Sequence, residues 1–225
     1  CASTKGLGFA IAQSLLAEGA KVVICSSKKE NLDNASELLD NQGYKEKYFP
    51  CLVDLSTPEG VTSLFEFSLS HSATIDILVN NCGGPNPGSV SDINEHQLDD
   101  AINKNLRNTF NLTKLILPVM KTNNWGRIVN ITSSSAKQPI DGLLLSNITR
   151  AAVTAFSKSV SNEYARYNIM VNNVLPGRIV TDRIIELATN KATETGTKLE
   201  KILETMGDDL PIARLGKPEE FAPIV

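Results

Sequence analysis

The sequence has little of what marks several large classes of protein. Its 22 basic residues are balanced by 25 acidic ones, giving a net charge of −3, so there is no positive surplus to attract nucleic acid or an anionic membrane. No apolar run approaches the roughly 18 residues that a membrane-spanning helix requires. The histidines number two, and no cluster of His, Cys or carboxylate residues has metal-ligand spacing. We therefore expect neither nucleic acid, nor a membrane, nor a metal ion as a partner.

Cysteine is also sparse, and its spacing excludes the usual paired motifs. The four cysteines, Cys1, Cys25, Cys51 and Cys82, are widely separated and form no CxxC pair. Three of them lie in or beside apolar, strand-like runs, where a free cysteine behaves as a small buried hydrophobe. The pattern predicts reduced, buried thiols, and a cytoplasmic location agrees with that prediction.

Short β-branched runs alternate with helical patterns over the 225 residues, of which 41% are apolar. Strands are predicted at residues 21–27, 47–55, 75–81, 126–133 and 168–177, with Pro50 making the early part of the second strand irregular. Helices are predicted at residues 30–43, 57–70, 95–120 and 145–166. This alternation is typical of an α/β fold with a three-layer doubly wound parallel sheet, the Rossmann fold, here as a single dinucleotide-binding domain over residues 1–225.

The first residues, CASTKGLGFAIAQ, join a glycine turn to a helix. Gly6 and Gly8 would let the backbone approach a pyrophosphate closely, and the helix N-terminus would supply free N–H donors. Two glycines alone also fit a plain tight turn. A phosphate turn needs a strand leading into it, so we expect the chain to lack a first strand, and also a C-terminal segment, since the helix begun by KPEEFAPIV is short.

The second strand of such a fold selects the dinucleotide. A carboxylate at its end would bind the ribose hydroxyls of NAD(H) and repel a 2′-phosphate. Here the strand ends in Ser26 and Ser27 and is followed by Lys28, while Lys5 lies in the glycine turn. Lysines are also common on solvated faces, but the missing carboxylate favours NADP(H) over NAD(H).

Taken together, these features resemble the short-chain dehydrogenase/reductase family. The motifs that carry the likeness are ASTKGLG, NNCG, KNLRNTF, GRIVNITS, LPG followed by a threonine, and RLGKPEEFA. The likeness covers essentially the whole chain and is closest to the subgroup that is similar to β-ketoacyl-ACP reductases but has an imperfect catalytic tetrad. It implies an NADP-dependent oxidoreductase that acts on a small carbonyl or alcohol substrate, with 3-oxoacyl-like carbonyls as the expected group.

The resemblance also implies site residues. With the glycine turn and the end of the second strand, it gives these candidate cofactor contacts: Ala2, Ser3, Lys5, Gly6, Leu7, Gly8, Ser26, Ser27, Lys28, Asp54, Leu55, Asn81, Cys82, Gly83, Pro176, Gly177, Ile179 and Thr181. Ala2 replaces the first glycine of the family and is expected to weaken cofactor binding. Residues 182–214 would form the substrate-loop region, and pairing of the two long helices would give a homodimer or homotetramer.

The catalytic positions implied by the resemblance are Asn105, Ser133, Ser146 and Arg150. The last two replace the tyrosine and lysine of the family and lie one helical turn apart on one face. A serine is a much weaker acid than a phenol, and losing a general acid costs about 10²–10⁴ in rate. Arg150 keeps the positive charge and could still bind ribose hydroxyls.

Two readings of this site remain open. The protein could be a reductase whose proton comes from Ser133, Ser134, Ser135 or a water ordered by Asn105. Alternatively, it could be a non-catalytic NADP(H)-binding protein, acting as a sensor or as a partner subunit. The retained Asn105 and Ser133 favour the first reading, and the double replacement favours the second.

Overall fold

Parallel strands and helices alternate in the computed structural model, which describes residues 2–225. Cys1, one of the predicted buried thiols, lies outside the described residues. The strands are β1 Val22–Ser26, β2 Tyr48–Leu52, β3 Ile77–Asn80, β4 Gly126–Ile131 and β5 Ile169–Val174. They form two parallel ladders, one of order β1-β2 and one of order β3-β4-β5. The predicted single-domain Rossmann fold is therefore confirmed.

The helices follow the strands in the order that the periodicity predicts. They are α1 Gly6–Ala17, α2 Lys29–Asn41, α3 Pro58–His71, α4 Glu95–Ala101, α5 Asn108–Thr122, α6 Leu144–Tyr164, α7 Asp182–Thr195, α8 Leu199–Asp208 and α9 Pro218–Phe221. Side-chain caps fix the starts of α3 and α4: Thr57 accepts a hydrogen bond from Gly60 N, and Asn94 forms a capping box with Gln97. Within residues 2–225, no helix is both long and apolar enough to cross a membrane.

Alternating strand residues place helices on both faces of the sheet. On β4, Ile128 packs in one apolar cluster with residues of α3, α5 and α6, whereas Val129 and Ile131 pack on α1 and α9. On β1, Ile24 packs against α1 and α2, and its neighbour Cys25 faces the opposite side. Successive side chains of a strand point to opposite faces, so the sheet is the middle layer of three.

The two ladders meet at the residues that lead into α1. Ser3 N donates to Cys25 O at 3.3 Å, and Cys25 N donates to Ser3 Oγ at 2.8 Å. On the other side, Asn81 Nδ2 donates to Ala2 O at 3.2 Å, just beyond β3. The strand order reverses here, so the carboxyl ends of β1 and β3 flank the point where open α/β sheets bind their ligands.

The second strand differs from the prediction. We expected an irregular beginning at Pro50, but Pro50 pairs in register with Ile24, and the strand instead ends at Leu52. Val22 N donates to Lys47 O, and Val53 N donates to Ser26 O. Because alternate residues of a strand face the ladder, Pro50 directs its missing N–H outward, where a proline removes no hydrogen bond.

The long helix predicted at residues 95–120 is interrupted. A π-helical segment, Ile102–Arg107, lies between α4 and α5. Three side chains in it or directly after it bond back to main-chain oxygens: Asn105 Nδ2 to Ala101 O, Asn108 Nδ2 to Lys104 O, and Thr109 Oγ1 to Asn105 O. These local bonds compete with the regular helical ladder, and neither apolar periodicity nor propensity reveals such competition.

A buried chain of polar side chains ties three strands together. Asn130 accepts from Asn80 Nδ2 at 2.8 Å and donates to Ser157 Oγ at 2.8 Å. Ser157 in turn lies 2.8 Å from Asn173 Oδ1, and Asn80 also donates to Thr113. The chain thus links β3, β4 and β5 to α5 and α6, and it fixes the strands whose carboxyl ends carry the candidate site.

Candidate active site

The glycine turn is packed so tightly that its last glycine has no room for a side chain. A Cβ on Gly8 would lie 2.1 Å from Ala2 O and 2.7 Å from Asn81 Nδ2. Only glycine avoids this collision with backbone. The turn leads directly into α1, whose first N–H groups point toward the carboxyl ends of the strands. This is the arrangement in which a helix N-terminus binds phosphate.

Two residues of this turn have left-handed backbone conformations. Gly6 has φ +51°, which costs a glycine nothing, and a Cβ on Gly6 would lie 3.4 Å from the Thr181 methyl group. Ala2 has φ +44° and carries the strain of a side chain in that region. The position where the family has glycine therefore still adopts the conformation that suits glycine.

At the carboxyl end of β1, hydroxyl and amine groups lie beside the glycine turn. Ser26 Oγ accepts from Lys28 N at 3.1 Å, and Ser27 and Lys28 are exposed, as is Lys5. Ser3 is buried and joins this strand end to the turn. The predicted determinants of the 2′-phosphate are therefore grouped at one edge, with no carboxylate in Ser26–Lys28.

At the carboxyl end of β2, Asp54 stabilises the following turn. Its Oδ1 accepts from Ser56 N at 2.9 Å, and its main-chain oxygen accepts from Thr57 Oγ1. The hydrogen bond from the Ser56 backbone is the main reason that the pKa of Asp54 lies below its usual value. Asp54 is nevertheless exposed, so its carboxylate stays accessible at the edge where the sequence predicts a cofactor contact.

The segments after β3 and after β5 lie at the carboxyl ends of their strands, and we call the region between them the cleft. A Cβ on Gly83 or on Gly177 would meet nothing within 4 Å, so open space borders both glycines. Thr181 caps α7 by accepting from Ile184 N. Three of the predicted cofactor contacts, Leu7, Leu55 and Ile179, direct their side chains into apolar clusters; they could reach a cofactor through their backbone.

Ser146 lies in the first turn of α6 and has a hydroxyl as its partner. Its Oγ is 3.3 Å from the Oγ of Ser135, which is only 2% exposed. Ser133, predicted as a catalytic residue, accepts from Ser135 N at 3.1 Å and caps a short 3₁₀ turn, Ser134–Ala136. The hydroxyl proton of Ser133 remains available for donation.

Arg150 is buried, with 6% of its surface exposed, and is bound to carbonyl oxygens. Its Nη1 lies 3.2 Å from Ile131 O, and its Nη2 lies 3.0 Å from Cys82 O and 3.5 Å from Gly83 O. The ion pairs found within residues 2–225 do not include it. Burial lowers the pKa of its guanidinium, yet an arginine stays charged. A positive charge therefore lies where β3 and β4 end.

Asn105 lies in the π-helical segment and is 1% exposed. Its Oδ1 is a buried atom without a hydrogen-bond partner among the described residues. Buried polar atoms are rarely left unsatisfied, and an ordered water is a common explanation. Next to it on the same helix, Asn108 Nδ2 lies 3.4 Å from Cys82 Sγ, which connects this segment to the floor of the cleft.

The four tyrosines of the chain lie far from this cleft. Tyr44 and Tyr48 precede or begin β2, and Tyr48 bonds to Ser36 O and to Asp40. Tyr164 and Tyr167 pack together where α6 ends, before β5 begins. All four are thus at the amino ends of the strands, whereas the cleft is at the carboxyl ends. None of the four tyrosines therefore places a phenol beside Ser146.

The cysteines of the described residues differ in burial. Cys25 and Cys51 are buried and free, as predicted, whereas Cys82 is only half-buried. Among residues 2–225, no group of three His, Cys, Asp or Glu side chains is placed to hold a metal ion.

The cleft, the glycine turn at the helix N-terminus and the reversal of strand order define a dinucleotide-binding oxidoreductase fold. The family model described as short chain dehydrogenase matches residues 1–192 of the chain. The protein therefore belongs to the short-chain dehydrogenase family.

Individual relatives agree with this assignment. The chain is 36% identical over 225 residues to rabbit (Oryctolagus cuniculus) dehydrogenase/reductase SDR family member 4, covering 100% of this chain and 82% of the relative. It is 32% identical over 223 residues to the 3-oxoacyl-(acyl-carrier-protein) reductase of Aquifex aeolicus, covering 99% and 85%. The crystal structure of L-sorbose reductase from Gluconobacter frateurii, complexed with NADPH and L-sorbose, superposes with a TM-score of 0.91 at 30% identity, covering 99% and 84%.

One residue at the cleft was missed from the sequence. Arg183, in the first turn of α7, reaches across to the segment after β3, where its Nη2 lies 2.6 Å from Pro85 O. Its position only two residues after Thr181 was a usable signal. An arginine in the first turn of a helix is unfavourable for the helix dipole, so a specific partner could have been suspected.

Proposed function

We propose that this protein is an NADP(H)-dependent oxidoreductase that reduces a small carbonyl substrate of 3-oxoacyl-like type, with an altered proton donor. The observation that carries the proposal is the glycine turn, in which Gly8 is pressed against Ala2 O where α1 begins, between the carboxyl ends of β1 and β3. The family and the NADPH-bound sorbose reductase with a similar fold support it. The residues present suit the cofactor, since glycine, serine and lysine surround the phosphate end.

The chain would hold the cofactor in three places. The backbone of the turn from Ala2 to Gly8 and the N-terminus of α1 would bind the pyrophosphate. Ser26, Ser27, Lys28 and Lys5 would bind the 2′-phosphate. Asn81 to Gly83 and Pro176 to Thr181 would line the nicotinamide end. When bound, NADPH supplies the hydride.

Proton delivery would fall to hydroxyls. As the substrate carbon accepts the hydride, its oxygen becomes an alkoxide, which Ser146 would protonate. Ser146 would then regain a proton from solvent at its half-buried hydroxyl, while Ser135 keeps its own proton as the hydrogen-bond partner of Ser146. A serine and the product alcohol are acids of similar strength, so this transfer is close to neutral in free energy. Because serine donates its proton only once the alkoxide has formed, it does not assist hydride transfer as a phenol does. We therefore expect a rate about 10²–10⁴ below that of a phenol donor. The charge of Arg150 would stabilise the developing alkoxide.

A second reading is favoured by one specific observation. Arg150 donates to Ile131 O, Cys82 O and Gly83 O, so its fork is already engaged by the protein. A site that has lost its phenol and bound its cation to the backbone also suits an NADP(H)-binding protein without turnover, acting as a sensor or partner subunit.

One experiment separates these readings. Titration with NADPH, followed by its fluorescence and with NADH as the control, measures binding. The NADPH complex is then offered a panel of ketones and acyl thioesters. Reduction of any of them supports the oxidoreductase, and tight NADPH binding with no oxidation across the panel selects the sensor. Failure to bind either dinucleotide would refute both.

A double substitution tests the proton donor directly. Ser146→Tyr with Arg150→Lys should raise the reductase rate by about 10²–10⁴, since it restores a phenol beside an amine. Ser146→Phe with Arg150→Lys is the matched control, because it adds the ring without the acidic proton. A double variant that binds NADPH but turns over no faster than this control would show that the site lacks more than its acid.

Assembly and location complete the proposal. A surface groove lies between the π-helical segment, α5 and α6, and it is lined by Ile102, Leu106, Arg107, Phe110 and Phe156. Phe110 and Ile148 are 43% and 44% exposed, and exposed apolar residues in contact often mark an interface. We therefore propose a homodimer or homotetramer that buries this face. The free thiols of Cys25, Cys51 and Cys82 suit a reducing cytoplasm.

A further inference from the structure

The first turn of α7 contacts both walls of the cleft. On one side, the Thr181 methyl group lies against Gly6, since a Cβ on that glycine would be 3.4 Å away. On the other side, Arg183 Nη2 donates to Pro85 O at 2.6 Å. The start of the helix therefore spans the cleft from the glycine turn to the segment after β3, and both contacts are made between protein atoms.

The segment after β3 is shaped to receive the Arg183 side chain. A Cβ on Gly84 would lie 3.1 Å from Arg183 Nε and 3.6 Å from Cζ. Such a distance is tighter than almost all real Cβ contacts, so the second glycine of the NNCGGP motif leaves room for the guanidinium. Arg183 is also only 26% exposed in its side chain, and its Nη1 forms an ion pair with Glu186 at 3.0 Å. Two separate observations thus join Arg183 to the 84–85 backbone.

The remainder of the segment that contains α7 and α8, residues 178–216, is anchored on its own side of the cleft. Val180 N donates to Gly216 O, and Gly216 N donates to Arg178 O. Arg178 Nη1 also donates to Met206 O at 2.7 Å and pairs with Asp209. These bonds hold the base of α7 and α8. The bond from Arg183 to Pro85 O differs from them because it crosses the cleft.

We propose that Arg183 is a positioning residue that latches α7 over the cleft and sets the rate at which NADP(H) enters and leaves. This inference rests on the proposed function for its ligand. The two segments proposed to line the nicotinamide end contain Gly83, which adjoins Gly84, and Thr181, which lies two residues before Arg183. A closed latch therefore encloses that end, and the bond must break before the dinucleotide can pass. Because the bond joins two parts of the protein and must break for passage in either direction, the latch slows binding as well as release.

The test uses three variants of the full chain. Arg183→Gln removes the charged fork and keeps a polar side chain. Gly84→Ala adds one methyl group against Nε and should displace the guanidinium. Glu186→Gln is the matched control, because it removes the ion pair of Arg183 at a carboxylate that is 53% exposed but leaves the bond to Pro85 O.

Hydrogen exchange of the cofactor-free protein is the first measurement. In Arg183→Gln, amide exchange should increase both at residues 182–186 and at residues 83–88, because both ends of the bond are released. Gly84→Ala should show a smaller change of the same kind, and Glu186→Gln should resemble the unsubstituted protein. An increase confined to α7, or no increase at all, would overturn the latch. This measurement needs no cofactor.

Stopped-flow NADPH fluorescence is the second measurement. In Arg183→Gln, the association and dissociation rates should both rise about tenfold, the effect of one charge-assisted hydrogen bond, while Kd changes by less than about threefold. A rise in the dissociation rate alone, with a matching loss of affinity, would show that Arg183 contacts the cofactor and is no latch. If the unsubstituted protein binds no NADPH, the proposed function fails, and hydrogen exchange alone decides whether Arg183 holds the helix.

Discussion

Replacing Asn130 with leucine should destabilise the protein strongly, because this side chain is the centre of the buried polar chain. Asn130 is 1% exposed and makes two hydrogen bonds of 2.8 Å, one from Asn80 Nδ2 and one to Ser157 Oγ. Leucine has a similar volume but forms no hydrogen bonds, so Asn80 and Ser157 each lose one partner. Asn80 keeps its bond to Thr113, and Ser157 keeps its bonds as a donor, so each loss is partial.

The magnitude follows from those two losses. Leaving a buried polar group without its partner costs about 1–3 kcal/mol. Two such groups, each partly compensated, give a loss of about 2–4 kcal/mol in the free energy of unfolding. For a chain of this size, each kcal/mol lowers Tm by about 2–4 °C, so we expect a decrease of roughly 5–15 °C.

Chemical and thermal denaturation of the purified chain would measure this loss. Asn172→Leu is the matched control: Asn172 is exposed on β5 and lies opposite Val129 in the register, so its replacement should change the free energy of unfolding by no more than about 0.5 kcal/mol. If Asn130→Leu and Asn172→Leu destabilise equally, or if Asn130→Leu costs less than about 1 kcal/mol, the polar chain does not hold the three strands as we argue.

Two further predictions concern the phosphate turn and the assembly. Ala2→Gly should tighten NADPH binding severalfold, because it removes a methyl group from the turn. The free energy of unfolding should change by less than about 1 kcal/mol, since relief of left-handed strain is offset by the freedom of glycine in the unfolded chain. NADPH titration measures the affinity and thermal denaturation the stability, and an unchanged affinity would contradict the role of the turn. Phe110→Ser should shift the sedimentation coefficient toward that of the monomer, because the exposed ring lies at the proposed interface. Val90→Ser is the control and should leave the coefficient unchanged, because Val90 is 78% exposed and lies outside the groove. An oligomer that persists in Phe110→Ser would refute this interface.

The sequence was a reliable guide where apolar periodicity and capping act together. The strand at residues 77–80 and the helix begun by Thr57 and Pro58 both follow from local patterns. The interruption of the long helix did not, because Asn105 and Asn108 act on the backbone through side-chain bonds. Pro50 misled for a related reason: its effect depends on which edge of the strand is paired, and that edge is set by the tertiary arrangement.

For the candidate site, spacing placed residues in groups but could not give their partners. Gly8 and Ala2 lie together, as a tight turn requires. Of the three serines proposed as proton donors, Ser135 lies beside Ser146, whereas Ser133 caps the 3₁₀ turn. The sequence predicted that Arg150 could bind ribose hydroxyls, and it could not foresee that the guanidinium also donates to main-chain oxygens. Counting along the chain gives the position of a side chain, whereas its direction depends on segments that are distant in sequence.

The wide turn at Ile102–Arg107 has a consequence for anyone who draws or redesigns this helix. A π turn accommodates one more residue than an α turn, so the helical wheel of residues 95–101 is out of phase with that of residues 108–122. A single wheel drawn through both would assign wrong neighbours to half of the side chains. The two halves are better treated as separate modules, each with its own angular frame, when sequences are aligned or the helix is grafted elsewhere.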